Sequence, residues 1–199
     1  MPDISLYYFD AVGFGEAVRL AFHIGGVPFE DVRFSRDQWV NEFKAKAPSG
    51  KCPWLEFKDG GFITESKAIL VYAAGRSGLV PFDLLELAVC EQAYNVALDA
   101  YSVMRCLIHD RGDREENLKD LRTRLLAADK VLGSRQSKGE AWVNGKSMTY
   151  ADLGIFGFFK NAVDRLPDTN VQQYTHLYQV YEAVLHHPRV KDYYASRTQ

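Results

Sequence analysis

The first 26 residues show two successive patterns of apolar and polar positions. The run from Ile4 to Phe9 is β-branched and aromatic, which favours a short strand that can be buried on both faces. Gly13-Phe14-Gly15 then breaks the chain, and residues 16–24 carry apolar side chains at helical spacing. That run stops at Gly25-Gly26, a pair typical of a helix C-terminus. The pattern predicts a strand, a turn and a helix.

Three further strands and a second helix are predicted in the next fifty residues. The strands run from Phe29 to Phe34, Cys52 to Phe57 and Gly61 to Thr64, and the helix runs from Ser66 to Ala74. Asp59-Gly60 is a strong signal for a tight hairpin turn between the last two strands. Residues 39–46 show no clear period and predict a loop with a short helix. The order β-α-β-β-β-α is that of a thioredoxin-like domain, with a right-handed first crossover.

Beyond residue 79 the signals for strands nearly vanish. Helical spacing runs from Leu84 to Cys106, Arg114 to Leu132, Tyr150 to Asp164 and Val171 to Leu185, and the last helix is predicted to end before Pro188. The sequence therefore predicts an α/β domain over residues 1–79, a linker over 80–83 and an all-helical domain over 84–199.

Composition and charge exclude several classes of protein. Hydrophobic residues make up 47% and charged residues 25% of the chain, as in ordinary soluble globular proteins. The net charge of -2 provides no excess of cations for a nucleic-acid backbone. We find no signal-peptide pattern at the start and no apolar run of the roughly 20 residues that span a bilayer. We expect a cytoplasmic protein that binds neither nucleic acid nor membranes.

The cysteines and histidines predict no disulfide framework and no metal site. Cys52, Cys90 and Cys106 are odd in number, far apart and in no C-x-x-C spacing, which fits reduced thiols. The adjacent His186 and His187 would point to different faces of a helix, with no carboxylate at ligand spacing.

Tyr8 is a candidate for chemistry because it stands at the end of the first predicted strand. From there its side chain can reach into a cleft and donate a hydrogen bond to a thiolate. Lowering the pKa of a thiol from about 8.5 by about 2 units needs roughly 2.7 kcal/mol of preference for the anion, which one or two well-aimed hydrogen bonds can supply. The alternative is that Tyr7 and Tyr8 are both core aromatics.

Three other positions carry local signals with two interpretations each. Pro53 precedes a strand, where a trans peptide is ordinary and a cis peptide would turn the backbone of Cys52 outward. Ser66 can cap a helix whose first N–H groups could also attract a carboxylate. Thr149 with Asp152 three residues later forms a capping box that starts a core helix.

Five motifs follow one another along nearly the whole chain. They are Leu6-Tyr7-Tyr8-Phe9 with Gly13 and Glu16, Trp39 with Lys44, Pro48-Ser49-Gly50-Lys51-Cys52-Pro53-Trp54-Leu55-Glu56, Glu65-Ser66-Lys67-Ala68-Ile69, and Ser147-Met148-Thr149-Tyr150-Ala151-Asp152. In this order and spacing they resemble the cytosolic glutathione transferases, most nearly the sigma class, which includes glutathione-dependent prostaglandin D synthases.

The resemblance implies a function for each matching position. The chain would conjugate the glutathione thiolate to small hydrophobic electrophiles, with a possible peroxidase or isomerase side activity, and glutathione would be its co-substrate. Tyr8 would be the thiol-activating residue, with Tyr7 pointing the other way because neighbours on a strand alternate faces. The other implied contacts are Trp39, Lys44 and Lys51 for the glycine end of glutathione, the backbone of Cys52 before a cis Pro53 for the cysteinyl part, and Glu65 and Ser66 for the γ-glutamyl end.

The resemblance also implies a homodimer in which Asp99 reaches the partner subunit's site. The electrophile pocket is expected between the two domains, near Val12, Phe14, Met104 and Ile155. Phe14 departs from the sigma class, which usually has Arg there, so thiol activation could be weaker. The segment after Asp99 lacks further aspartates that bind a divalent ion between subunits in the vertebrate prostaglandin enzymes, so prostaglandin isomerisation is not expected.

Two competing functions remain open at the level of sequence. The chain could be a binding or structural protein that has kept this fold and lost turnover, because fold does not imply function. It could also be a redox enzyme that works through Cys52, although no resolving cysteine lies nearby and Tyr8 occupies the activating position.

Overall fold

The structure, a computed structural model, describes residues 2–134, 140–166 and 169–197. The chain divides into two compact units, residues 1–80 (unit 1) and residues 81–199 (unit 2).

Unit 1 is built on a four-stranded mixed sheet. Its strands are β1 (Ile4–Phe9), β2 (Glu30–Phe34), β3 (Trp54–Phe57) and β4 (Phe62–Ile63), in the order β2-β1-β3-β4. β1 pairs with β2 in parallel, and β3 is antiparallel to β1 and β4. The predicted thioredoxin-like order is confirmed.

Two longer helices complete unit 1. α1 (Phe14–Gly25) and α4 (Ser66–Arg76) pack against each other, and many of their apolar residues are buried, as are Ile4 and Leu6 of β1. α1 ends at Gly26, whose φ of 64° is in the left-handed region that a glycine adopts without strain. The predicted Gly25-Gly26 stop is therefore confirmed.

The prediction of a loop with a short helix over residues 39–46 is only partly right, because the whole segment is helical. It consists of α2 (Arg36–Gln38), a π-helical turn (Trp39–Phe43) and α3 (Lys44–Lys46). Ser35 starts it with a capping box that includes Gln38. Trp39 and Phe43 then stack on Phe34 of β2 with ring centroids 5.6 and 4.6 Å away, so packing on the sheet stabilises a helix that lacks a regular apolar period.

Unit 2 is helical throughout the part that the structure describes. Its long helices are α5 (Leu84–Ile108), α6 (Arg114–Gly133), α7 (Tyr150–Arg165) and α8 (Thr175–His186), with a 3-10 turn (Val171–Gln173) before α8. None of the described helices has the length and apolar character needed to cross a bilayer. The predicted all-helical second domain is confirmed, with helix ends shifted by a few residues.

A last helix, α9 (Pro188–Arg197), was not predicted. The preceding helix, α8, ends before Pro188 as predicted, and Pro188 is at the same time the first residue of the new helix. Proline is well suited to that position, because the missing N–H would have no partner there and φ is already helical. Val190 and Tyr193 bury the inner face of α9.

The predicted capping box at the start of α7 is present and completely buried. One carboxylate oxygen of Asp152 accepts hydrogen bonds from the backbone N–H and the hydroxyl of Thr149, at 2.8 and 2.7 Å. The other oxygen accepts from the N–H of Val143, at 2.9 Å, in the segment before the helix. Asp152 therefore joins the start of α7 to the preceding chain.

Candidate functional site

The register of the sheet brings the predicted residues of unit 1 to one edge. Tyr7 pairs with Trp54 as the last β1–β3 pair, so Tyr8 and Pro53 both lie just beyond it. Leu55 pairs with Ile63, and β4 is antiparallel to β3. Glu65, which follows β4, therefore lies at the same edge of the sheet as Pro53. β2 runs parallel to β1 and ends there too, and the helical segment with Trp39 and Lys44 follows it.

The Tyr8 side chain is 7% exposed and lies against α1. A methyl group built on Gly15 would come within 2.2 Å of Cδ1 of Tyr8, so the ring rests directly on the helix backbone. The guanidinium of Arg19 lies 5.7 Å from the centroid of the same ring. The Tyr8 ring is therefore held in place by contacts with the first two turns of α1.

Tyr7 points to the opposite face of the sheet, as predicted. Its ring stacks on Trp54 with centroids 4.5 Å apart and planes 5° from parallel. Burial, with help from the charge and hydrogen bond of Glu56, raises the pKa of Tyr7 to about 12. The two adjacent tyrosines thus have different surroundings, and Tyr7 belongs to the aromatic cluster beneath residues 36–46.

The peptide bond between Cys52 and Pro53 is cis, as the resemblance implied. Cys52 is half-buried and packs against the cluster formed by Phe34, Ala47 and Trp54. The other two cysteines are in unit 2 and are also free thiols. Burial raises the pKa of Cys90 to about 11, so this thiol stays protonated. A redox site built on a cysteine pair is not formed.

Lys44 and Lys51 are exposed cations, and neither has an ion-pair partner within the described ranges 2–134, 140–166 and 169–197. Lys46, which lies close by, is paired with Glu42 at 2.7 Å. Trp39 packs its ring on Phe34, and its indole N–H donates to no atom in the described part of the chain. Two uncompensated cations and a donor are thus available for an anionic ligand.

Glu65 and Ser66 occupy the start of α4, but Ser66 is not its cap. Ser66 is the first helical residue, and Glu65 takes the N-cap position with φ 68° and ψ 114°. The proposed capping role of Ser66 is therefore wrong. Residues other than glycine seldom adopt a φ in this region, and they cluster at ligand sites where surrounding structure holds them. The first N–H groups of α4, beside Ser66, have no acceptor within the helix itself.

The remaining predicted residues lie in both units. Val12 and Phe14 are partly buried at the start of α1 in unit 1, whereas Met104 and Ile155 are buried in unit 2. Asp99 is exposed on α5, with no ion pair to any residue that the structure describes. The described residues contain no group of three or more His, Cys, Asp or Glu side chains placed to hold a metal ion.

The sequence did not predict the buried ion network beside Tyr8. Arg19 and Glu16 are both 0% exposed, with their charged atoms 3.3 Å apart. Asp31 of β2 accepts from Nε of Arg19 at 3.0 Å. The available signal was an arginine three residues after a glutamate, both within an otherwise apolar helix.

Comparison with known proteins agrees with this geometry. Residues 13–76 match the family described as the glutathione S-transferase N-terminal domain, and residues 102–197 match its C-terminal domain. Glutathione S-transferase 1 of Ascaris suum is 32% identical, covering 99% of this chain and 98% of that protein. Hematopoietic prostaglandin D synthase of Gallus gallus is 31% identical over 77% of this chain and 76% of that protein, which supports the likeness to the sigma class.

The fold is shared over the same length. The crystal structure of the glutathione S-transferase from Ascaris lumbricoides superposes with a TM-score of 0.82 and 32% identity, covering 98% of both chains. The predicted fold and the resemblance in sequence are both confirmed. The chain therefore belongs to the glutathione transferase family.

Proposed function

We propose that the hydroxyl of Tyr8 holds the glutathione thiolate in the conjugation reaction that this chain catalyses. The observation that carries the proposal is the gathering, at one sheet edge, of Tyr8, the cis Pro53, the start of α4 and the segment with Lys44. Each of these offers a donor, a cation or an accessible backbone to a different part of a tripeptide.

The chemistry requires glutathione to react as a thiolate. A thiol of pKa about 8.5 is mostly protonated at neutral pH, and a hydrogen bond from the Tyr8 hydroxyl favours the anion over the neutral thiol. The thiolate then attacks the electrophilic carbon, its sulfur forms the new bond, and the leaving group departs with the bonding pair. Holding both reactants in place supplies the rest of the rate.

The two ends of glutathione fit different groups. Its glycine carboxylate is bound by the cations of Lys44 and Lys51 and by the indole N–H of Trp39. Its γ-glutamyl carboxylate is bound at the N-terminus of α4 by Ser66 and the backbone N–H groups of the first turn, while the carboxylate of Glu65 meets the ammonium group. The backbone of Cys52 pairs with the cysteinyl part, as an added strand does.

The acceptor is a small hydrophobic electrophile, for which Val12, Phe14, Met104 and Ile155 are the proposed contacts. The proposed assembly is a homodimer in which Asp99 of one subunit meets the γ-glutamyl ammonium in its partner. Three free cysteines fit a reducing compartment, and the proposed location is the cytoplasm.

The test of the proposed function is glutathione conjugation to a chromogenic dinitrohalobenzene, measured with the native protein across pH, alongside calorimetric titration with glutathione. We expect clear turnover and an apparent pKa of the bound thiol below about 7. Binding without turnover on several electrophiles would instead indicate a binding protein. Absence of binding at millimolar glutathione would reject both functions.

Lys44→Gln and Lys51→Gln are each expected to raise the KM for glutathione roughly tenfold with little change in kcat. Each removes a charge-assisted contact to the glycine carboxylate, which is far from the reacting sulfur. Lys46→Gln is the matched control, because its charge is already paired with Glu42. Steady-state kinetics with varied glutathione measure these changes. An equal rise in KM for Lys46→Gln would show a general effect of surface charge and contradict specific contacts by Lys44 and Lys51.

Asp99→Asn is expected to raise the KM for glutathione about fivefold, because one charged partner of the ammonium group is lost. Asp120→Asn is a charge-matched control on α6, where the carboxylate is paired with Arg124 at 3.0 Å. Light scattering on the same samples should show a dimer. A monomer, or an unchanged KM for Asp99→Asn, contradicts the proposed role across the subunits.

A further inference from the structure

Arg19 is the most completely enclosed cation that the described residues contain, and its guanidinium is hydrogen-bonded to residues of unit 1. It is 0% exposed. Its guanidinium donates to Asp31 at 3.0 and 3.1 Å and to Glu16 at 3.3 Å. Burying a charge is costly unless it is paired and hydrogen-bonded, and the guanidinium of Arg19 is both.

Two of these contacts hold the backbone that follows Tyr8. Nη2 of Arg19 donates to the carbonyl of Phe9, and Nη1 donates to the carbonyl of Ala11, both at 3.0 Å. The N–H of Ala11 in turn donates to the carbonyl of Phe9 at 2.8 Å. The planar guanidinium therefore fixes the turn between β1 and α1 at two points through two separate nitrogens, a geometry that a lysine ammonium, with all its donors on one nitrogen, does not reproduce.

The same helix face supports the ring of Tyr8. Gly15 and Arg19 are four residues apart in α1, so they lie on one face of the helix, one turn from each other. The ring packs on the backbone of Gly15 and lies 5.7 Å from the guanidinium carbon of Arg19. A cation near the face of an aromatic ring is attracted by it, and this attraction strengthens when both are desolvated.

The charge of Arg19 is balanced close by. Glu16 and Asp31 face it directly, Asp31 also pairs with Arg33 at 2.7 Å, and Arg33 pairs with Asp10 at 2.7 Å. With two carboxylates against one guanidinium, little net positive field reaches the Tyr8 hydroxyl. Arg19 therefore acts on Tyr8 by orienting its side chain and restricting its movement, with little effect of its charge on the hydroxyl.

We propose that Arg19 is a positioning residue, which sets the direction of the Tyr8 hydroxyl by holding the ring on the Gly15–Arg19 face of α1 and clamping the backbone at Phe9 and Ala11. This inference rests on the proposed function of Tyr8. Loss of the clamp lets the ring tilt, and the hydroxyl then donates less well to the thiolate, because hydrogen bonds weaken steeply away from linearity.

The test compares Arg19→Lys with native protein, with Tyr8→Phe and with Arg33→Lys. Arg33→Lys is the matched control, because it makes the same chemical change at the outer end of the network, at the residue opposite Tyr8 in the sheet, where the guanidinium donates to Asp31 and Asp10. We expect Arg19→Lys to raise the apparent pKa of the bound glutathione thiol by about one unit, and to lower kcat/KM about tenfold below neutral pH with KM nearly unchanged. Arg33→Lys should follow the native pH profile.

Gly15→Ala is a second variant that leaves the buried charges in place. The added methyl would meet the Tyr8 ring, so the ring must shift, and we expect the pKa of the bound thiol to rise here as well. If Arg19→Lys folds and shows the native pH profile, the positioning role of Arg19 is overturned. If Arg19→Lys does not fold, a native pH profile for Gly15→Ala overturns that role instead. Neither result changes the proposed role of Tyr8. A native profile for Tyr8→Phe would overturn both.

Discussion

Tyr8→Phe is expected to lower kcat/KM for glutathione conjugation roughly 100-fold at about pH 6.5, and to raise the apparent pKa of the bound thiol by about 2 units. The substitution removes one hydroxyl and leaves the ring that packs on Gly15. The loss corresponds to roughly 2.7 kcal/mol of preference for the thiolate. Near the unperturbed thiol pKa the two proteins should converge, because glutathione then ionises without help.

Tyr7→Phe is the matched control for this prediction. It makes the same change one residue earlier, on the opposite face of the sheet, where the ring stacks on Trp54 and the hydroxyl bonds to Glu56. We expect its rate and its pH profile to match the native protein. A large loss for Tyr7→Phe together with a native profile for Tyr8→Phe would show that the active hydroxyl belongs to Tyr7.

The features predicted well from sequence are those that neighbouring residues determine. β1 is rich in aliphatic and aromatic residues, the hairpin has its Asp-Gly turn, and Thr149 with Asp152 forms a complete local signal for a helix start. The positions of Tyr8 and Pro53 at one edge followed from the element order together with the family resemblance. Register in the sheet then brings them to adjacent positions.

The features missed are those that depend on distant partners. Residues 36–46 are helical because Trp39 and Phe43 pack on Phe34, which no local period records. Pro188 was ambiguous, since proline both ends helices and begins them. Arg19 was predicted as part of an ordinary helix, because its burial depends on Asp31 of another strand. Glu65 occupies the cap of α4 through its backbone conformation, which the sequence does not display.

Asp152→Ala is expected to lower the free energy of unfolding by about 3 kcal/mol at neutral pH. The variant leaves the N–H groups of Val143 and Thr149 buried without acceptors, at roughly 1 to 3 kcal/mol each, and removes the cap of α7. Denaturant unfolding measures the change. Asp164→Ala is a control in the same helix: this exposed carboxylate pairs with Lys160 of the preceding turn, and its removal should cost less than about 0.5 kcal/mol.

The pH dependence of this loss gives the Asp152 assignment a second test. Burial, which outweighs the hydrogen bonds to the carboxylate, raises the pKa of Asp152 from 3.8 to about 6. The folded state therefore binds more protons than the unfolded state between those values, and the contribution of Asp152 to stability falls as the pH rises through that window. The difference between native protein and Asp152→Ala should be larger at about pH 4.5 than at about pH 7. A difference that grows with pH would show instead that the folded protein prefers the ionised carboxylate, with the three hydrogen bonds outweighing burial.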